Sequence, residues 1–186
     1  ESKQAMVVFF ALDLKNPAAG WRTLPSWPGP GRLHAVAATA GGNFYLFSGV
    51  RYEPKTGGGF EMVYLRDAYR YSPATAWERL PDMPYPALAA ASPAPFAGDM
   101  FFLIGGWDGA SSGSPPQEFK LVPQRIQAYS TKANSWSEVG NAPVGRVCVS
   151  TTDWRGEWIL PTGERSAGVR SPEVWAARIA PAENYR

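Results

Sequence analysis

The sequence predicts an all-β protein made of repeated four-stranded units, and three observations carry that prediction. Apolar runs end in glycine at Gly49, Gly106 and Gly163, 57 residues apart each time. Tryptophans that follow a polar turn recur at Trp21, Trp77 and Trp136. Breakers are dense, with 19 Gly and 18 Pro among 186 residues, while aromatic residues make up 13%. Many aromatics between many breakers read as short strands joined by turns. A fixed period of this length reads as stacked repeats.

Each unit reads as four strands in order. The first is made of small residues: Ala35–Ala40, Ala87–Ser92 and Val147–Thr152. The second is the apolar run that ends in glycine, as in Phe44–Gly49, Met100–Gly106 and Trp158–Gly163. A strand with tyrosines and a turn follows, Asp67–Thr75 and Ile126–Asn134, with a degenerate copy at Phe10–Ala18. The fourth carries the Trp and leaves through Leu24-Pro25, Leu80-Pro81 or Ala142-Pro143. Strands are thus expected at about 6–14 and 21–24, in two full units over 33–81 and 88–139, and up to three times over 147–179. As one partial domain over 1–186, the chain divides into a unit end at 6–30, units at 31–86 and 87–144, and a unit start at 145–179.

Composition excludes several classes of partner. The formal net charge of +2 comes without a Lys/Arg run or basic stripe, so neither nucleic acid nor an anionic membrane is the expected partner. One cysteine, Cys148, excludes an internal disulfide, and its apolar run marks it as a buried filler. One histidine, His34, excludes a His-rich metal cluster. No apolar stretch approaches the ~20 residues of a membrane-spanning helix. Glu1–Ala5 followed by Met6–Phe10 lacks the basic and long apolar regions of a signal peptide. It reads as a chain entered in mid-fold, which leaves the compartment unknown.

The terminal glycines, the tyrosines and the spaced tryptophans resemble kelch repeats, with a unit somewhat longer than the usual ~50 residues. The resemblance implies that each unit is one blade of a β-propeller. A twisted four-stranded blade is apolar on both faces and is covered only by stacking around a channel. Propellers close with typically 4–8 blades. A little over three blades' worth of strands therefore implies a longer protein, or a half ring completed by the missing blades or by a second copy.

In an up-and-down blade, the segment before the inner strand and the segment after the second strand share one mouth of the channel. Val50–Met62 and Trp107–Pro123, both read as long glycine-rich loops, and Glu164–Ser171 all leave second strands. Arg32, His34 and Arg146 lie just before or at inner strands. A binding mouth on a rigid scaffold is the expectation. Glu164 and Arg170, flanking Gly168, are its best chemical candidates; the plain alternative is a solvated loop pair. Arg32 and Arg146 add positive charge to the mouth, or else cap carbonyls and form ion pairs within the scaffold. His34 is a second proton carrier or a structural histidine. Arg51 and Asp108 follow the glycines of their own units at places comparable to Glu164. The repeat Trp and Tyr residues read as blade core, whereas Trp107, just past Gly105-Gly106, is placed to stack on a sugar ring.

The run Ile159–Val174 is similar to a segment of the N-acetylneuraminate epimerase (sialic acid mutarotase) family of six-bladed kelch propellers. There Gly-Glu is followed after three residues by Gly, an aliphatic residue, Arg and a small hydroxyl residue, and soon by Val. Here these are Gly163, Glu164, Gly168, Val169, Arg170, Ser171 and Val174. The resemblance implies half of a six-bladed propeller, Glu164 as acid/base, Arg170 as a substrate-binding group, a small-molecule sugar as substrate and a periplasmic or extracytoplasmic setting. Anomerisation of an acidic sugar needs one carboxylate to relay protons and one guanidinium to hold the acid group, with no metal or organic cofactor. A non-catalytic kelch module that binds a glycan or a protein through the same loops is the alternative. Copper oxidases of the galactose oxidase type share the architecture but need histidine ligands, and His34 stands alone.

Overall fold

The structure is a computed structural model that describes residues 5–110 and 121–178. Among the described residues seventeen short strands form antiparallel sheets, and the central two are four-stranded. The first of these runs β3 (Val36–Ala40), β4 (Asn43–Phe47), β7 (Ala68–Ser72) and β8 (Ala76–Leu80) in that order. The second runs β9 (Phe96–Ala97), β10 (Met100–Ile104), β11 (Arg125–Ser130) and β12 (Ser135–Asn141). Before them β1 (Phe9–Ala11) pairs β2 (Arg22–Leu24), and after them β13 (Thr152–Trp154), β14 (Glu157–Pro161) and β17 (Val174–Ala177) make a three-stranded sheet. Two hairpins stand apart: β5 (Val50–Pro54) with β6 (Phe60–Tyr64), and β15 (Glu164–Ser166) with β16 (Val169–Arg170).

Aromatic rings fill the space between successive sheets. Tyr45, Phe47, Phe101, Leu103 and Tyr129 are buried in one cluster with Met83, and the ring of Phe101 lies 4.5 Å from that of Tyr45. Each such side chain stabilises the fold by about 1.5–3 kcal/mol through burial. The repeat tryptophans join neighbours: the Trp77 indole N–H donates to Pro25 O at 2.6 Å, and Trp136 donates to Pro81 O at 2.8 Å. Each indole thus fastens its own sheet to the fourth-strand exit of the sheet before. Trp21 is the exception to the expected core, at 70% exposure. Its sheet is the first, so no preceding exit carbonyl meets it among the described residues.

The inner edge departs from the expected strands in two units out of three. β3 falls within Ala35–Ala40, but Ala87–Ser92 and most of Val147–Thr152 are irregular, and the paired inner strands are β9 and β13. A left-handed residue stands before the inner strand of every unit, with φ of 54° at His34, 53° at Ala89 and 57° at Cys148, and the second and third expected segments run across it where the first begins after it. These residues bond sideways around the axis: Ala89 N–H donates to His34 O at 2.9 Å, and Cys148 N–H donates to Ala89 O at 2.8 Å. Backbone groups used between units are not available within them. Cys148 is accordingly exposed and not a buried filler.

Two further expectations shift. Val50–Met62 is no loop but the β5–β6 hairpin, with Val50 opposite Tyr64 and Pro54 opposite Phe60. The exit at Ala142-Pro143 is not the counterpart of Leu80-Pro81, and β12 carries a bulge opposite Ile126/Gln127 on the way to it. Ala142 N–H donates to Gln124 O as Met83 N–H donates to Arg66 O, so Ala142 stands with Met83, not with Leu80.

Candidate functional site

Three glycine-ended second strands deliver three equivalent residues to one layer. Val50 bridges Leu33, Trp107 bridges Leu88 and Glu164 bridges Val147, all antiparallel. The residues matching Glu164 are therefore Val50 and Trp107, and Arg51 and Asp108 lie one position beyond. Gly163 has to be glycine here: its φ is +92°, and a Cβ would meet Val149 Cγ2 at 2.3 Å. Of the three matched residues only Glu164 carries an ionisable group. Trp107, the matching residue one unit earlier, is half-buried.

Glu164 is held from both sides. Its backbone exchanges two hydrogen bonds of 3.0 Å with Val147, and across the β15–β16 hairpin it faces Arg170. Arg170 Nη2 lies 3.4 Å from Glu164 Oε1, and the Gly168 N–H donates to Glu164 Oε2 at 3.3 Å. Burial separates the pair: the Glu164 side chain is 19% exposed, the Arg170 side chain 85%. A carboxylate set into the wall thus stands beside a guanidinium that reaches into solvent. Cys148 lies close enough to feel both charges. Partial burial pushes its thiol above the ordinary range, Glu164 pushes the same way, and Arg170 opposes.

The other cations are committed to the scaffold. Arg32 makes a two-pronged pair with Asp67 at 2.8 and 2.7 Å and donates to Ser48 O at 2.9 Å, with its side chain 2% exposed. Arg146 pairs with Glu173, its own side chain 4% exposed. The two pairs are equivalent by register: Ser48 N–H donates to Asp67 O, as Thr162 N–H donates to Glu173 O. Each ties the segment before an inner strand to the start of a third strand. Glu173 is held below the ordinary carboxylate range by the Trp175 indole first and by Arg146 next. Arg32 and Arg146 are therefore both paired within the wall, and Arg146 keeps its Nε and Nη1 without hydrogen-bond partners. His34 is exposed on the same inner edge, two backbone hydrogen bonds away from Cys148. Asp67, Glu173 and Cys148 are the members of this layer that sequence reasoning passed over. Asp67 and Glu173 each directly precede the third strand of their unit, and that position was the signal available for the two acids.

The site layer is continuous where it is described. A Cβ on Gly109 would strike the Tyr64 ring at 2.7 Å, so β6 packs on the segment after Trp107. Val122 N–H donates to Arg165 O at 2.9 Å, which carries the wall on to the Glu164 hairpin. Residues 111–120 of the expected Trp107–Pro123 loop lie outside the described residues.

Sheets of this order, fastened by a Trp per unit and a sideways inner edge, define a kelch-type β-propeller segment. Comparison with known proteins agrees. The solved structure of YjhT superposes with a TM-score of 0.70 at 18% identity, covering 96% of this chain and 60% of that one. A family model described as N-acetylneuraminate epimerase matches residues 4–111. The chain belongs to the N-acetylneuraminate epimerase family. An N-acetylneuraminate epimerase from Haemophilus influenzae (strain PittEE) is 27% identical over 193 residues, covering 89% of this chain and 50% of the relative. One from Yersinia enterocolitica is 26% identical over 196 residues, with 91% and 50% covered. A Kelch domain-containing protein from Vibrio cholerae is 26% identical over 194 residues, with 89% and 54% covered. The chain spans about half the length of these curated relatives, and Glu164 and Arg170 lie outside the stretch matched by the family model.

Proposed function

We propose that this chain carries the acid/base part of a mutarotase site that interconverts the anomers of an acidic sugar of the N-acetylneuraminate type. The observation that supports this most is the hairpin pair, a Glu164 side chain set into the wall and an outward Arg170 across from it. Membership of the N-acetylneuraminate epimerase family supplies the substrate class.

The chemistry asks little of the protein. Arg170 swings from Glu164 to the sugar carboxylate, which it grips with two parallel N–H groups. Glu164 then takes the proton of the anomeric hydroxyl and returns it to the ring oxygen as the bond between that oxygen and the anomeric carbon breaks. Rotation about the carbon–carbon single bond beside the open-chain carbonyl presents its other face, and the reverse proton transfer closes the other anomer. One carboxylate serves both directions, so protons balance and no cofactor enters. Its fixed backbone keeps the carboxylate within reach of both oxygens.

Two-dimensional exchange NMR of N-acetylneuraminic acid with the folded protein tests this reading. Faster exchange between the anomers supports it. Unchanged exchange, with shift changes that report binding, would replace it with the reading of a non-catalytic glycan module.

A further inference from the structure

The hairpin that carries Glu164 is irregular where its counterpart is not. In β5–β6 every residue from Val50 to Pro54 has a partner across the ladder. In β15–β16 Glu164 is opposite Arg170 and Ser166 is opposite Val169, so Arg165 is an extra residue with no partner in the hairpin. A bulge of this kind bends its strand and re-aims the side chains beside it. The Arg165 carbonyl is taken up from the side, by the Val122 N–H of the unit before at 2.9 Å. Val122 is itself buried, at 2% exposure.

The approach of Val122 depends on Gly145. A Cβ there would lie 2.1 Å from Val122 O and 2.4 Å from Pro123 O, backbone atoms that no change of rotamer moves aside. The φ of Gly145 is outside the left-handed region, so close approach, and not backbone conformation, is what requires glycine. Two residues on, Val147 holds Glu164 by two bonds of 3.0 Å. The carboxylate thus stands between two supports, the bridge to Val147 and the seated bulge at Arg165, and the chain segments that supply them touch at Gly145. The repeat does not impose this contact, since the matching place in the middle unit holds Pro86. Gly31 of the first unit has a similar contact, its Cβ position lying 2.1 Å from Ala5 O, but the residue matched to Glu164 there is Val50.

We propose that Val122 and Gly145 are positioning residues for Glu164: the Val122 N–H seats the Arg165 bulge, and the bare backbone of Gly145 lets Val122 come close enough to do so. The proposal rests on the mutarotase reading of Glu164, in which a small displacement of the reacting carboxylate is costly.

Exchange NMR of N-acetylneuraminic acid over a range of sugar concentrations separates kcat from KM. Gly145→Ala is expected to lower kcat by roughly 10- to 100-fold and to keep KM within about twofold, since Arg170 still holds the acid group. Val122→Pro removes the N–H, keeps an apolar side chain of similar size in the buried slot, and is expected to do the same. Gly31→Ala puts the same strain on the matching contact two units away and is expected to keep kcat within about twofold. A folded Gly145→Ala or Val122→Pro protein with the wild-type kcat overturns the proposal, as does an equal loss in Gly31→Ala. Hydrogen exchange at the Val122 amide reads the geometry without sugar: it is expected to be slow in the wild type and on the order of tenfold faster in Gly145→Ala. Free exchange of that amide in the wild type overturns the seat whether or not the sugar turns over. A slow Val122 amide in a wild-type protein that leaves the anomers unchanged overturns the mutarotase reading, and with it the positioning role, while the seat stands.

Discussion

Glu164 and Val147 exchange both of their backbone hydrogen bonds at 3.0 Å, which pins the candidate acid/base to the inner edge of its own unit. The same bridge recurs at Leu33 with Val50 and at Leu88 with Trp107. A position held three times by backbone alone is free to vary in side chain. One of the three has become a carboxylate, and the chemistry proposed for the chain follows from that substitution within the repeat.

Arg170 projects into water and meets Glu164 in a solvent-exposed pair, so its removal separates binding from folding. Arg170→Ala is expected to leave thermal stability within about 0.5 kcal/mol. The same change weakens acidic sugars by roughly 10- to 100-fold, as for the loss of a hydrogen bond to a charged group. Titration with an acidic sugar and with its neutral counterpart checks this. An equal loss on both would remove Arg170 from the role of anion anchor.

Arg32 is expected to behave in the opposite way. Asp67→Ala leaves the buried guanidinium without its carboxylate, at a cost of about 3–5 kcal/mol in urea unfolding. Replacing Arg32 and Asp67 together by apolar residues of similar size restores most of that loss. If Asp67→Ala left stability unchanged but impaired sugar binding, Arg32 would be a ligand group after all.

Cys148 serves as a built-in electrometer for the site. Its thiol is held above the ordinary range by partial burial, with Glu164 adding to the effect and Arg170 opposing it. Removing the carboxylate by Glu164→Gln therefore lowers the thiol pKa and speeds alkylation by iodoacetamide at pH 8, by roughly two- to threefold. Arg170→Ala slows it. Alkylation rates that move in the opposite directions would show that the three groups are not neighbours.

Stability is expected to fall in alkali. Tyr69 and Tyr129 are both pushed up from 10.0 to about 12, burial being the main cause. Unfolded tyrosines release their protons first, so the stabilisation is fully present below pH 10.0 and is lost as pH rises towards about 12. Guanidinium midpoints measured across that interval should decline, and Tyr129→Phe should flatten the decline. A midpoint that rises with pH would contradict the assignment.

The periodic features of this fold were legible because they are covalent or steric necessities. Gly163 admits no Cβ, and the apolar runs before the three glycines could only be second strands. Trp77 and Trp136 announced the joints they make. The inner strands were not legible, since Ala87–Ser92 reads as a small-residue strand while its hydrogen bonds run between units, a matter of tertiary arrangement. For the same reason Cys148 was placed inside when a left-handed backbone turns it out. Of the candidate site, Glu164 and Arg170 were found by local pattern and do face each other across a hairpin. The commitment of Arg32 and Arg146 to Asp67 and Glu173, 35 and 27 residues away, required the register of whole sheets.

The most direct test is the rate of anomer exchange of N-acetylneuraminic acid, read by NMR, with wild-type protein and with Glu164→Gln. The backbone bonds to Val147 persist in the variant, so its fold and its affinity for the sugar should stay as they are. The account predicts that the protein-dependent exchange falls by roughly 10²- to 10⁴-fold, the range for loss of a general acid/base. A folded Glu164→Gln variant that exchanges the anomers at the wild-type rate would contradict it.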